Sequence, residues 1–311
     1  MMRDFKSGSN LEKILKAGHF AFTGECSPPK GPDIAHLKEK ASYLKGITDA
    51  VNITDNPTSI VRMSSWAASL AIQQEGIQAV YQIVCRDRNR LAIQSDLLGA
   101  SALGIKNVLC LSGDHQTSGD HPEAKNVYDI DSIQLIQTVK NLRDDGIFIN
   151  GEKAEGNISM FIGAASNPFA EPFDFRVYRL AKKIAAGADF IQTQCIFNIA
   201  RFREFMKKTV DMGLHEKCYI LAGVAPLKSV GMAKYMATNV PGMDVPELFI
   251  KRLKDAGKEN VAQEGAKIAV ETIQELKEME GVSGVHLMAI EWEHKVPEIA
   301  KAAGMLPRPE V

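Results

Sequence analysis

The sequence predicts a (β/α)8 barrel of the α/β class, and three observations lead there. Eight short apolar runs rich in Val, Ile and Phe recur along the chain. Longer stretches with helical periodicity separate them. A glycine stands between each helical stretch and the run that follows it: Gly18, Gly46, Gly76, Gly104, Gly146, Gly187, Gly213 and Gly281. Glycine just past a helix end takes the left-handed conformation without a clash, so it stops the helix and turns the chain. Strands joined by helices run parallel, and continuous apolar character fits burial on both faces. Eight such units suffice to close a barrel. A doubly wound open sheet is the alternative that shares the rhythm.

Taken in order, the chain starts with MMRDFKSGSNLEKILKAG, which lacks the apolar stretch of a signal peptide and reads as a short amphipathic helix. Strands are expected near 19–25, 48–54, 77–84, 106–112, 158–164, 189–194, 218–224 and 284–290. Helices are expected over 33–45, 61–75, 89–103, 130–144, 174–186 and 199–212. In 174–186, Val177, Leu180, Ala181 and Ile184 share one face while Arg176, Arg179, Lys182 and Lys183 crowd elsewhere. Three segments exceed the minimal repeat: the polar loops 113–129 and 150–157, and 246–280 before the last strand. The last holds a long amphipathic helix that Gly265 should interrupt. None has linker composition, so residues 1–311 read as one barrel domain.

Composition narrows the function. The 311 residues are 45% hydrophobic and 24% charged, which suits a folded chain and not a disordered one. With 37 basic against 38 acidic residues, nothing favours polyanions or anionic lipid in general. No apolar run approaches the ~18 residues of a membrane span. Five cysteines, an odd number, fit a reducing cytoplasm. G-x-G-x-x-G after the first strand, G-x-x-x-x-G-K-[ST], G-x-S-x-G and C-x-x-C are all missing, which speaks against a Rossmann domain, a P-loop, a serine elbow and a paired-cysteine metal site.

Barrel chemistry sits at the C-terminal ends of the strands. Those ends offer Glu25 and Cys26, Thr54 and Asp55, Gln82 and Cys85, Ser112 to His115, Ala164 to Asn167, Gln194 and Cys195, Pro226, and Glu291. Glu25 and Asp114 are candidates for an acid and a charge stabiliser. Position alone also fits plainer roles: a salt bridge or cap for Glu25, a turn for Asp114, backbone partners for Gln82 and Gln194, a wet helix face for Lys182 and Lys183, and packing for the methionines.

Six segments in order carry a family resemblance: FTGECSPPKG (22–31), NITDNP (52–57), LSGDH (111–115), GAASNPF (163–169), LAKKIAAGADFIQTQCIF (180–197) and GVAP (223–226). Together they resemble the methylenetetrahydrofolate reductases, from about Phe20 to Leu306. The resemblance implies FAD bound in the barrel mouth. It implies Glu25 as the general acid that opens the five-membered ring of 5,10-methylenetetrahydrofolate, with reduced flavin delivering hydride to give 5-methyltetrahydrofolate in one-carbon metabolism. An acid at neutral pH must keep its proton, so Glu25 should sit in an apolar or water-poor pocket, with Phe22 and Pro28 as candidate neighbours. Asp114 would lie between flavin and folate, and Gln194 would bind the pterin edge. Thr54, Asp55, Gln82, Ser112, Gly113, Asp114, Asn167, Ala170, Lys182 and Lys183 match flavin-lining positions, the lysines suiting the phosphates.

The departures alter contacts within a retained flavin site and leave the folate-tail and nicotinamide sites less similar to the family's. Gln82 replaces the family's His, Ser112 an Arg, Met236 a stacking Phe, Met232 a Gln and Trp292 an Arg. The electron donor implied is therefore either NAD(P)H or a partner protein of the kind used in anaerobic one-carbon pathways. A homo-oligomer or a subunit of a hetero-complex, in the cytoplasm and without the regulatory domain of larger eukaryotic members, is expected. Two other readings stay open: a pterin-dependent barrel methyltransferase with zinc on Cys26, Cys85 or Cys195, and a non-catalytic subunit presenting flavin or pterin to a partner.

Overall fold

Alternation along parallel strands sorts each side chain either into the barrel or toward the helices outside. The computed structural model describes residues 5–311. Its strands are β1 (Ala21–Cys26), β2 (Ala50–Ile53), β3 (Ala79–Val84), β4 (Asn107–Leu111), β5 (Phe161–Ser166), β6 (Phe190–Cys195), β7 (Tyr219–Val224) and β8 (Val282–Leu287). They pair in chain order, all parallel, and β8 returns to β1, so the barrel closes and the open-sheet alternative is excluded.

Helices α1 (Asn10–Lys16), α2 (Ala35–Ser42), α3 (Ser65–Gln74), α4 (Arg90–Ala102), α5 (Ser132–Asp144), α6 (Arg176–Ala186), α7 (Ile199–Asp211), α8 (Val230–Asn239), α9 (Glu247–Asp255), α10 (Gly257–Lys277) and α11 (Val296–Ala302) complete the order. All eight glycines at the helix-to-strand returns have positive φ, from 62° to 118°. The sequence start, Met1 to Asp4, lies outside the described residues.

Two expectations change. The fifth strand starts at Phe161 and the eighth ends at Leu287, inside the stretches read from apolarity. Gly265 does not interrupt its helix: α10 runs unbroken from 257 to 277. A Cβ at Gly265 would lie 1.9 Å from the Leu227 carbonyl oxygen, so the glycine serves close packing against the segment after β7.

The interior of the barrel is graded. At the N-terminal end, Ala21, Ala50, Val80, Leu109, Phe161, Phe190 and Leu221 pack with Leu11, Ile14 and Leu15 of α1, which plugs the bottom. Phe161 and Phe190 stack at 5.2 Å between ring centroids. One layer up the interior turns polar, with Thr23, Asn52, Gln192 and His286, all buried. Above these lie Glu25, Gln82 and Gln194 at the mouth. The opposite parity, such as Phe22, Tyr81 and Ile191, faces the helix layer and forms the larger core. Among the described residues no helix is long and apolar enough to cross a membrane.

Candidate active site at the barrel mouth

A cavity of about 400 Å³ opens at the C-terminal mouth. That volume lies within the range of small-molecule sites, ~300–1,000 Å³. Glu25 lies on its wall because it shares parity with Ala21 and Thr23 on β1. Its side chain is 19% exposed. Gln82 Nε2 donates to Glu25 Oε2 at 3.4 Å, and His286 Nε2 stands 3.5 Å from the same oxygen. The His286 Nδ1 edge is 3.0 Å from Thr23 Oγ1. Gln192 Nε2 donates to Thr23 Oγ1 at 3.3 Å and to Asn52 Oδ1 at 3.0 Å, while Asn52 Nδ2 donates back to Gln192 Oε1 at 2.6 Å. A connected polar layer thus supports the carboxylate from below.

Of the apolar or water-poor pocket expected for Glu25, the apolar alternative is corrected: the carboxylate is shielded but has polar neighbours. Phe22 has the opposite parity and is buried toward the helices, so the neighbours of the carboxylate are amide and imidazole.

A second wall comes from α6. Arg176, Arg179, Leu180 and Lys183 line the cavity at the i, i+3, i+4, i+7 spacing of one helical face. Lys182 falls off that face and is exposed. Lys183 Nζ donates to the Ala165 carbonyl at 2.5 Å. Burial, reinforced by the charge of Arg179, lowers the Lys183 amine to about 8. Arg176 is anchored through Nε to the Ala170 carbonyl at 2.7 Å. Among the described residues Arg179 and Lys182 form neither a hydrogen bond nor an ion pair, and no carboxylate pairs with Lys183. This wall is suited to an anionic ligand group.

Of the other candidates, Ser112, Asn167 and Gln194 reach the cavity with Gln82. Gln194 Oε1 accepts the Cys195 backbone N–H at 3.2 Å. Gly113 makes its turn at φ +89°. Ala170 stands at the rim, half-buried. Thr54 and Asp55 are buried beside the mouth. The Thr54 hydroxyl donates to Ser27 Oγ at 3.2 Å, and Asp55 is bonded to Arg88 at 2.6 Å and to the Val84 N–H at 3.0 Å. Burial pushes the Asp55 carboxyl up against the pull of Arg88. Met236 packs with Phe197, Ala225 and Leu227 and is not on the cavity wall.

Asp114 is also off the wall. It is exposed on the rim, its Oδ2 accepting the Thr58 N–H at 2.9 Å. The cysteines do not converge. All five are free and buried, and burial pushes Cys85 and Cys195 up to about 12 and Cys26 higher. Among the described residues no group of three or more His, Cys, Asp and Glu is gathered for a metal ion.

Sequence reading passed over His286, Gln192, Asn52 and Thr23, and it left Arg176 and Arg179 as helix-surface residues. The available signal was a polar residue two places before each mouth residue: Thr23 before Glu25, Gln192 before Gln194, His286 before Met288.

Fold and site together define a (β/α)8-barrel protein with a ligand cavity at its C-terminal mouth, one wall carrying a carboxylate and the other unpaired cations. The chain belongs to the methylenetetrahydrofolate reductase family, whose profile matches residues 10–304. It is 27% identical to methylenetetrahydrofolate reductase 2 of Schizosaccharomyces pombe over 80% of this chain and 39% of that protein. It is 24% identical to the 5,10-methylenetetrahydrofolate reductase of Salmonella typhimurium over 70% of this chain and 67% of that one. The chain spans about two fifths of the length of the fungal relative and of a nematode one, from Caenorhabditis elegans. Among solved structures, a Clostridium thermocellum protein that binds two copies of 5-methyl-5,6,7,8-tetrahydrofolic acid shares the fold. Its TM-score is 0.64 at 14% identity, over 95% of this chain and 98% of that one.

Proposed function

We propose that this barrel reduces 5,10-methylenetetrahydrofolate to 5-methyltetrahydrofolate, with FAD held in the mouth cavity. The observation that carries the reading is the meeting, in one cavity, of the strand-end carboxylate Glu25 with the cationic face of α6. Family membership and the methyltetrahydrofolate bound by the Clostridium protein support the substrate class.

The residues present fit FAD. Arg179 and Lys183 offer cations without a carboxylate partner, which is what a pyrophosphate requires. Gln82, Ser112 and Asn167 offer neutral donors and acceptors for a ring system with polar edges. Bound FAD would supply the hydride that reduces the one-carbon unit.

The chain's own residues do the rest. Glu25 holds the proton that the ring nitrogen takes as the five-membered ring opens. Gln82 and His286 fix the carboxyl in place, and Thr23, with Gln192 behind it, fixes the imidazole. Gln194 presents an amide that donates and accepts, as a pterin edge demands. Asp114 on the rim adds negative charge that favours a cationic folate intermediate.

The test is anaerobic. Protein loaded with FAD should show a flavin absorbance spectrum that bleaches on addition of 5-methyltetrahydrofolate. Protein that takes up no FAD, or flavin that stays oxidised, would overturn the reading. Parallel reduction by NADH, NADPH and a low-potential donor identifies which supplies the electrons.

A further inference from the structure

We propose that Arg86 is a positioning residue that sets where the Asp114 carboxylate stands. The inference rests on the role given to Asp114 above. Arg86 follows β3, and its side chain is 2% exposed although it carries a full charge. Its guanidinium ties three segments together. Nε and Nη2 grip the Asp87 carboxylate at 2.7 Å each, Nη1 donates to the Asp114 carbonyl at 3.0 Å, and Nη2 also reaches the Asn56 carbonyl at 3.2 Å.

The two backbone contacts matter because of what they join. Asn56, Thr58 and Ser59 all have left-handed φ, 44°, 52° and 59°, although none is glycine. Such a turn persists only where its surroundings over-determine it. Its Thr58 N–H is the donor that holds the Asp114 carboxylate, at 2.9 Å. The turn is braced from outside as well: a Cβ at Gly119 would lie 1.8 Å from the Ser59 carbonyl oxygen, so the loop after β4 is seated directly on it. Arg86 therefore grips both ends of the Thr58–Asp114 contact, the turn through Asn56 and the acid through its own carbonyl. A planar fork can hold both carbonyls and a carboxylate at once, whereas a lysine ammonium in its place cannot span them.

The experiment is a double-mutant cycle on the FAD-loaded full chain with Arg86→Lys and Asp114→Asn. Two quantities are read: kcat with 5,10-methylenetetrahydrofolate, and the affinity of the oxidised protein for 5-methyltetrahydrofolate by calorimetry. Misplacing a reacting group by about 1 Å costs up to ~100-fold in rate, so R86K should lower kcat ~10- to 100-fold. It should weaken folate binding in the same direction as D114N, and R86K should add nothing in the D114N background. FAD affinity, which Arg86 does not touch, serves as the control and should stay within about twofold. If R86K lowers the melting temperature but leaves kcat and folate affinity unchanged, or if the two losses add, Arg86 has a structural role only and the inference falls. If D114N itself changes neither quantity, the reading of Asp114 falls and takes this inference with it. Should R86K fail to fold, Asp87→Asn loosens the same guanidinium and carries the cycle with the same outcomes.

Discussion

The two ends of this barrel place charge in opposite ways. At the bottom every acid named here is answered by the protein itself. Asp189 receives Arg143 at 2.5 Å, Lys6 and the Ile162 N–H. Asp49 receives two arms of Arg308, at 3.0 and 2.6 Å, and the Phe22 N–H. Glu12 accepts the N–H groups of Lys6, Ser7 and Gly8 and pairs with Lys16. At the mouth, acids beside the cavity such as Asp55 are also paired, but on the cavity wall, among the described residues, Glu25 meets only Gln82 and His286 at 3.4 and 3.5 Å, Lys183 meets a carbonyl, and Arg179 meets nothing. A charge already satisfied within the chain holds the fold. A charge left half-satisfied beside a cavity is available to a ligand. Substitutions at the two ends should therefore separate stability from activity.

The largest effect is expected at Glu25. Glu25→Gln keeps shape and hydrogen bonding but removes the proton, and loss of a general acid costs ~100- to 10,000-fold in turnover. Steady-state assay with 5,10-methylenetetrahydrofolate measures it, and flavin binding and thermal unfolding should be unchanged. Turnover within threefold of wild type would remove Glu25 from the chemistry.

Asp189 provides the mirror case. Asp189→Ala leaves Arg143 its pair with Asp144 but removes the acceptor of Arg143 Nη1, Lys6 and the Ile162 N–H, and each buried donor left unmet costs ~1–3 kcal/mol. Urea unfolding should show that loss, while the folded fraction turns over at the wild-type rate. A normal midpoint with lost activity would reverse the assignment of the two ends.

The same contrast explains what could be read from the chain beforehand. The barrel was legible because each βα unit writes its own stop: Gly187 and its seven counterparts occupy the left-handed return that local sequence demands. Gly265 misled because its reason is tertiary, a close approach to Leu227 that no window of α10 encodes. Glu25, Gln82 and Gln194 were legible as polar ends of apolar strands. His286 was not, because it meets Glu25 only when the eighth strand closes on the first. Asn52 and Gln192 likewise meet across the barrel, 140 residues apart in sequence. Asp114 was legible as chemistry but not as geometry, since its place depends on the left-handed turn at 56–59 and on the clamp from Arg86.

Two neighbouring lysines on α6 give the finest version of the comparison. Lys183 is buried on the cavity face, and its amine titrates at about 8. In the free protein it loses its charge as pH rises through that value. Affinity for FAD, followed by quenching of flavin fluorescence, should therefore weaken between pH 7 and pH 9. Lys183→Met should bind ~10-fold more weakly at pH 7, the loss of one charge-assisted contact, and its affinity should stay flat over that range. Stability should move the opposite way. Between the folded value of about 8 and the ~10.4 of an unfolded lysine, the unfolded chain holds more protons, so unfolding free energy rises with pH.

Lys182, one residue earlier, carries the same charge but is exposed and off the cavity face. It acts on a bound phosphate only through water, where a unit charge is worth ~1 kcal/mol at 4 Å and less at longer range in salt. Lys182→Ala should change FAD affinity by less than about threefold, and 0.5 M salt should erase the difference. An effect as large as that of Lys183→Met, persisting in salt, would mean that the ligand lies along the outer side of α6 and not in the cavity.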